Sequence, residues 1–361
     1  MAQATSTGPT LTDVTYIGRQ VVKFGSIAIV ALIVGRTLLT AFIAYWQATH
    51  PPPPPPPTVG FGILPSMVFP ESKAQPIEYT LETATGILPN FGDRAKVFFM
   101  PKSSLSLLSD DRVKQIASGY GFVFTPQVLN TTTYRWSKSR PLESTLEIDS
   151  QTLAMKLQTD FLSRPELLSV NNLPDGTSAL SQVKEMLDSA SLLEDDLATA
   201  SGEIVYLKAL GGELQEAVSF SDADFIEVDL NRTPIDDQWR MFTQEGYKGS
   251  VHAIVSGGLG GGDSVVSLEY NYHPVDYSQV HTYPLRTTDS AWRLLQAGEG
   301  YVADTGSTDS VIIRNVYLGY YDSFEEQTYL QPIYVFEGDQ GFLGYVAALD
   351  PKYLQAPLTD Q

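Results

Sequence analysis

The longest run of apolar positions is Phe24 to Trp46, FGSIAIVALIVGRTLLTAFIAYW, broken by a single charge, Arg36. As a helix rising 1.5 Å per residue it reaches about 35 Å, enough to cross a hydrocarbon layer of ~30 Å. Tyr45 and Trp46 stand where an interfacial aromatic belt would. Arg19 and Lys23 flank the N-terminal side, while Gln47 to Pro57 carries no Lys or Arg. Positive charge stays on the cytoplasmic side, so this asymmetry predicts a single-pass protein of the bacterial cytoplasmic membrane, N-terminus inside and main domain outside. A cleaved signal peptide would have a shorter apolar core and an Ala-x-Ala site after it, and neither is present. A buried core helix is hard to reconcile with the proline run that follows directly.

Beyond the apolar run the pattern shortens. Pro51 to Pro57 is unbroken proline, which adopts polyproline II and extends about 22 Å as a stiff stalk. Reading of such a tract by SH3-type domains is discounted, because those readers are cytosolic. Residues 58–100 read as extended segments packed on the main domain, with Gly62-Ile63-Leu64-Pro65 recurring as Gly86-Ile87-Leu88-Pro89 and strand-like alternation over Glu78 to Thr83. A helix-then-strands order then repeats. Ser106 to Gly119 is helical, with Ser109-Asp110-Asp111 as its start signal, and strands follow at 132–137, 144–149 and 152–158. Thr177 to Ala198 is the longest helical pattern outside the apolar run. Strands follow it at 203–208, 213–219 and 225–232, the last alternating Ile226, Val228, Leu230 with Glu227, Asp229, Asn231. Strands 251–256 and 264–272 flank the glycine-rich loop 257–262, a helix covers 288–297, and strands 299–303, 311–321, 328–337 and 342–349 end the domain.

The expected class is α+β: a transmembrane helix, then repeated units of a helix with an antiparallel sheet. The expected divisions are a cytoplasmic tail 1–23, the membrane helix 24–46, the stalk 47–57, a first α+β region 58–230 holding two units, a C-terminal α+β region 231–352 and a tail 353–361.

Charge changes the list of partners. The chain carries −19 overall, and only Asp13, Arg19, Lys23 and Arg36 precede the prolines, so the remainder holds 20 basic and 41 acidic residues, or −21. Such a field repels phosphate backbones and anionic lipid, which argues against nucleic acid. There is no cysteine, which excludes disulfides, thiolate catalysis, cysteine-ligated metal and a lipoprotein anchor.

No catalytic motif is complete. Asp304-Thr305-Gly306-Ser307 has the core of the aspartic-protease motif, but that chemistry needs two carboxylates sharing a proton, and no second Asp-Thr-Gly or Asp-Ser-Gly occurs. A turn between strands is the simpler reading. The loop 257–262 lacks the GK[ST] of a phosphate-binding loop and leads into a strand-like segment. His252, His273 and His281 would have to converge to hold zinc, and no spacing supports that. The acidic pairs Asp110-Asp111 and Asp222 with Asp224 suit helix or turn starts, and Glu194-Asp195-Asp196 reads as a solvated helix face. No metal, cofactor or catalytic residue is expected. The one position singled out is Arg36. An arginine at the centre of a span costs ~2.5–3.5 kcal/mol on insertion scales, unless it snorkels or pairs with a partner helix.

The C-terminal third carries a resemblance. Tyr283-Pro284-Leu285 precedes a helix containing Ala291-Trp292; Gly298-Glu299-Gly300-Tyr301 closes it; then come Val316 to Tyr321, Tyr329 to Phe336, and Gly344-Tyr345-Val346-Ala347-Ala348. This order resembles the PepSY-like unit of the YycH and YycI families, single-pass extracytoplasmic regulators of a cell-wall histidine kinase. The layout is also similar to uncharacterised single-pass proteins of candidate-phylum bacteria. The resemblance covers about 80 residues and implies an N-in anchor, a non-enzymatic outer domain and no catalytic residues. The polyproline stalk, the extra N-terminal unit and the size depart from it. Together these features lead to the expectation of a non-enzymatic envelope protein that binds or regulates. Its partner would be a membrane protein met through the helix, or an envelope protein or cell-wall ligand met by the outer domain. A structural scaffold is the alternative, and an anchored hydrolase stands behind it.

Overall fold

In the computed structural model the described residues are 11–49, 55–73, 78–106, 108–164, 172–259, 263–306 and 310–355. Most of the proline run, much of the tail 1–23, part of the glycine-rich loop, Ser307 and all but the start of the C-terminal tail lie outside them. The chain forms two compact units, Met1–Pro56 and Pro57–Gln361.

The first unit is one helix, α1 (Leu11–Thr49). It begins well before Phe24, because Val14, Ile17, Val21 and Val22 continue the helical apolar pattern through the expected tail. It stops ahead of Pro51, since a residue preceding proline is pushed out of the helical region. Within it, Val14–Gln47 is long and apolar enough to cross a membrane, and no part of that stretch is buried within the protein. Two hydroxyls near its centre are satisfied internally: Thr37 Oγ1 donates to the Ile33 carbonyl at 2.7 Å and Thr40 Oγ1 to that of Arg36 at 3.0 Å. In hydrocarbon, where no water competes, this back-bonding removes an otherwise costly orphan donor.

The second unit is α+β, with two large sheets. Nine strands make one antiparallel sheet. In chain order they are β3 (Gln127–Val128), β4 (Thr133–Lys138), β5 (Ser144–Asp149), β6 (Met155–Thr159), β7 (Glu203–Leu210), β8 (Glu213–Glu216), β9 (Phe225–Leu230), β11 (Val251–Ser256) and β12 (Val265–Tyr270). In space they run β3-β4-β5-β6-β12-β11-β9-β7-β8. Helices α2 (Ser109–Gly119) and α3 (Gly176–Ser189) cover one face. Val113, Ile116, Val183 and Leu187 interdigitate there with Leu146, Leu157, Val228 and Leu268. Each such side chain contributes ~1.5–3 kcal/mol on leaving water.

The expected helix 177–198 is two pieces, α3 and a short α4 (Asp195–Ala198). Ser191 turns left-handed at φ 53°. The Leu192 amide then bonds back to Leu187 O and the Ser191 amide to Asp188 O, both at 2.9 Å. This is a Schellman ending, with Leu187 and Leu192 buried together. Helix α2 ends the same way, with Gly121 left-handed at φ 81° and Phe122 bonded to Ala117 O. Serine in place of glycine hid the second stop.

The other sheet runs β1 (Glu78–Leu81), β15 (Ser310–Tyr321), β16 (Tyr329–Gly338), β17 (Leu343–Ala347), β14 (Tyr301–Asp304), with β10 (Met241–Phe242) parallel to β15. An arm of β2 (Arg94–Phe99) and β13 (Asp276–Pro284) joins it through β16. Strand β13 escaped the sequence reading because Asp276 to Thr282 is mostly polar and the ladder slips between Asp276 and Val280. Helix α5 (Thr288–Gln296) packs Ala291 and Leu295 on one face. The segment holding Met67 and Phe69 straps the other, so β16 is buried on both sides and reads as a continuous apolar run. Sheet membership crosses the division expected at 230/231. Strands β11 and β12 belong with β3–β9, while β1 and β2 belong with the C-terminal strands.

The tetrapeptide repeat is one device used twice. Gly62 and Gly86 close turns onto Val59 O and Thr83 O and are themselves left-handed at φ 73° and 71°. The leucines that follow turn inward, and the carbonyls of Pro65 and Pro89 accept from Gln331 Nε2 and Thr288 Oγ1.

One buried cation links the sheets. Arg232, just after β9, is 2% exposed. Its Nε donates to Asp322 at 2.8 Å, one terminal nitrogen to Asp196 at 3.0 Å and the other to the His273 carbonyl. The guanidinium lies 4.0 Å from the Tyr272 ring centroid. Asp322 follows β15, whereas Asp196 lies on α4, so strands of both sheets meet at this side chain. Asp196 is therefore not part of a solvated helix face: its side chain is 10% exposed and also accepts from Tyr272 and Tyr277. Removing one partner of a buried pair strands the other, so Arg232→Ala is expected to cost about 3–5 kcal/mol. Urea unfolding of the full chain, followed by circular dichroism, measures it. A loss under about 1 kcal/mol would contradict the assignment.

Candidate functional site

Opposite the helices the nine-stranded sheet carries a buried apolar cluster, with Leu207, Phe225 and Ile254 packed with Leu142 and Phe161, and on the same face a row of polar side chains that register lines up. Arg135, Glu147, Lys156 and Glu269 are direct neighbours across β4-β5-β6-β12. His252, Asp229 and Glu203 continue the row across β11-β9-β7. Alternation makes this necessary: Trp136, Leu146, Leu157, Leu268, Ala253 and Val228 face the helices, so their sequence neighbours face away. Charges of opposite sign pair along the row, Arg135 with Glu147 at 2.6 Å and Lys156 with Glu269 at 2.8 Å. Lys248 adds a second contact to Glu269 at 2.7 Å. Partial burial alone would raise the Glu269 pKa, but hydrogen bonds from Lys156 and Lys248 outweigh it and bring the carboxyl down to about 2.

The row changes character at its centre. Glu227 and Asp229 project from the same side of β9, and His252 faces Asp229 from β11. His252 Nδ1 lies 3.0 Å from Asp229 Oδ1, which also accepts from the Gly249 amide at 2.9 Å. Burial, together with the charge and hydrogen bond of Asp229, holds the Glu227 carboxyl above the usual carboxylate range, against the pull of His252. Among the described residues this is the one group of three side chains of metal-ligating type found close together.

At the end of the row Arg240 pairs with Glu203 and leads into a cleft of about 370 Å³. Trp239, Tyr247, Tyr317 and Phe91 line it over Phe242, with Gln238, Arg240 and Glu337 among them. The Arg240 guanidinium sits 5.3 Å from the Tyr247 ring centroid, and Phe91 meets Trp239 edge-on at 6.1 Å. Glu337 accepts from Tyr247, Asn315 and Tyr317 at 2.6, 2.7 and 2.9 Å. Burial would raise its pKa, and these three donors lower it instead. Burial and the bond to Glu337 push the Tyr317 phenol up to about 12. The arrangement fixes ring orientations and leaves aromatic faces beside polar groups. It suits recognition of a ligand that is part apolar and part hydroxylated. A groove of about 640 Å³ beside α2 and α3 is larger, but Lys138 in it is committed to Asp263 and the Tyr120 carbonyl, and its wall adjoins 260–262, outside the described residues.

Arg36 lies on α1, exposed, with no side-chain hydrogen bond or ion pair among the described residues. Asp304 ends β14 and accepts from the Gly306 amide at 3.3 Å, a turn within its own motif. The three histidines do not converge: His252 is held by Asp229, His273 by the Phe324 carbonyl, and His281 packs on Phe61. The sequence reading missed Trp239 and the His252 pairing, and for the tyrosine-rich strand 317–321 periodicity alone left core and exposed contact face both open. The shared face of Glu227 and Asp229 was legible in their alternation, but the strand register that brings His252 to them was not.

No protein-family model matches the chain, and no curated protein matches it. Among solved structures, the crystal structure of an uncharacterized protein from Eubacterium rectale superposes with a TM-score of 0.41 at 9% identity, over 72% of this chain and 84% of that one. That degree of likeness transfers neither a fold family nor an activity.

The charged row predicts acid lability. A carboxyl lowered in the fold stabilises it above the unfolded value near 4.5 and loses that contribution as pH falls toward about 2. The melting temperature should therefore drop over that window, and Glu269→Gln should flatten part of the drop. A Gln variant with the wild-type acid profile would contradict the pairing.

Proposed function

We propose that the protein is a non-enzymatic, membrane-anchored binding protein of the bacterial envelope, whose acidic unit stands outside the cytoplasmic membrane and holds a neutral wall glycan in the aromatic cleft. The cleft carries the reading. Trp239 and Tyr317 offer ring faces on which the C–H face of a sugar stacks, and Gln238 and Arg240 supply donors for its hydroxyls. The −21 charge of the chain beyond Asp13, Arg19, Lys23 and Arg36 disfavours anionic polymers and fits an uncharged ligand. The apolar span Val14–Gln47, with Arg19 and Lys23 near its start, supports an anchor with its N-terminus inside. Arg36 on an exposed helix supports contact with a second membrane protein.

The finer architectural reading is part of the same proposal. Helix α2 is followed by β3–β6, α3 by β7–β12 and α5 by β14–β17, and this recurrence supports units of PepSY-like type.

Two measurements test the reading. Purified full-length protein in detergent, titrated with N-acetylglucosamine oligomers, should show saturable quenching of tryptophan fluorescence. Trp239→Ala should weaken binding at least tenfold, or about 1.4 kcal/mol. Absence of saturable binding, or equal binding by the variant, removes the glycan. Crosslinking in intact cells followed by purification should recover a membrane protein with the wild type and lose it with Arg36→Leu; unchanged recovery removes the helix contact.

A further inference from the structure

The centre of the charged row differs from its flanks in one respect. Elsewhere each carboxylate in the row has a cation within ion-pair distance: Glu147 has Arg135, Glu269 has two lysines, and Glu203 has Arg240. At Glu227 and Asp229 two carboxyls share one face of β9; opposite them on β11 stand Ile254 and the His252 imidazole, which meets Asp229 at 3.0 Å. Lys248, whose charge reaches Glu227, is itself bonded to Glu245 at 3.0 Å and to Glu269 at 2.7 Å. Ligating atoms of Glu227, Asp229 and His252 all lie within 4.8 Å of one another. A tetrahedral ion with bonds of about 2.0–2.1 Å spaces its ligands roughly 3.4 Å apart, so small side-chain rotations close the gap.

The backbone under these side chains is fixed. Strand β9 is paired on both sides, to β7 and β11, and Val228, Leu230, Val251 and Ala253 are fully buried against the helices. The Gly249 amide orients Asp229 from behind, the kind of outer contact that supports metal ligands. The site is also reachable: the His252 side chain keeps 15% of its surface exposed and that of Asp229 10%.

We propose that Glu227, Asp229 and His252 form a binding site for a first-row transition-metal dication of the zinc type. One imidazole nitrogen with two carboxylates matches the ligands of Zn²⁺, whereas Ca²⁺ takes six or more oxygens and Mg²⁺ keeps most of its water. A dication neutralises the carboxylate pair, with which no lysine or arginine forms an ion pair among the described residues. Three protein ligands leave a coordination position open to water or to an oxygen of a bound molecule. The site lies on the same face as the charged row and independently of the aromatic cleft, so it stands or falls apart from the glycan reading.

The test uses full-length protein in detergent, stripped with chelator and dialysed against Zn²⁺. Metal per chain is counted by elemental mass spectrometry, and affinity is measured by competition with a chromophoric chelator. The expected result is one Zn²⁺ per chain, at least tenfold weaker in His252→Ala and in Glu227→Gln, and unaffected by His281→Gln. Zn²⁺ should also raise the melting temperature of the wild type and not that of Glu227→Gln. The Gln variant keeps shape and hydrogen bonding, so its own melting curve separates lost metal from lost fold. No retained Zn²⁺, or equal retention by wild type and both ligand variants, overturns the assignment.

Discussion

A guanidinium with no exposed surface is the constraint on which the large unit depends. Arg232 cannot be desolvated alone, since the transfer costs several kcal/mol and an arginine does not escape it by losing its proton. It is tolerated because Asp322, Asp196, the His273 carbonyl and the Tyr272 ring surround it on different sides. These groups come from the end of β15, from α4 and from the segment between β12 and β13, so they assemble only when both sheets are in place. A planar fork with directional donors fixes that arrangement more tightly than an apolar contact of the same area would.

The same economy of paired polar groups organises the surface that carries the candidate sites. Helices cover one face of the nine-stranded sheet, and its other face joins an apolar cluster around Phe225 and Ile254 to a row of polar side chains in register. Most are spoken for. Two places are informative: by β15 and β16 of the other sheet, Trp239 and Tyr317 stand beside Glu337, a carboxylate already engaged by three donors, and on the nine-stranded sheet Glu227, Asp229 and His252 converge. The first arrangement favours stacking and orientation over proton transfer. The second favours a charged ligand.

Local pattern was enough for much of the secondary structure. Strand β5 follows period-two alternation, and the bounds of β4, β5, β9, β11 and β12 fall close to those expected. The failures share a cause. The stop at Ser191 lacks glycine and is enforced by burying Leu192 on Leu187; β13 is polar and exists because β2 pairs with it; α1 runs back to Leu11 because nothing in residues 11–23 breaks a helix. Asp196 looked like one of three acids on an open surface, and its role is set by an arginine 36 positions away in sequence.

By itself the sequence determined the apolar helix with its central Arg36, the proline run after it, the strong acidity of the remainder, the absence of thiol chemistry and the α+β class. These are properties of composition and short-range periodicity. Tertiary structure decided which strands share a sheet, placing β1 and β2 with the C-terminal strands and β11 and β12 with β3–β9. It also decided which side chains meet. A strand's pattern says which face a residue takes, but register with a distant strand says what lies opposite, and one residue of slip would turn His252 from Asp229 into the core.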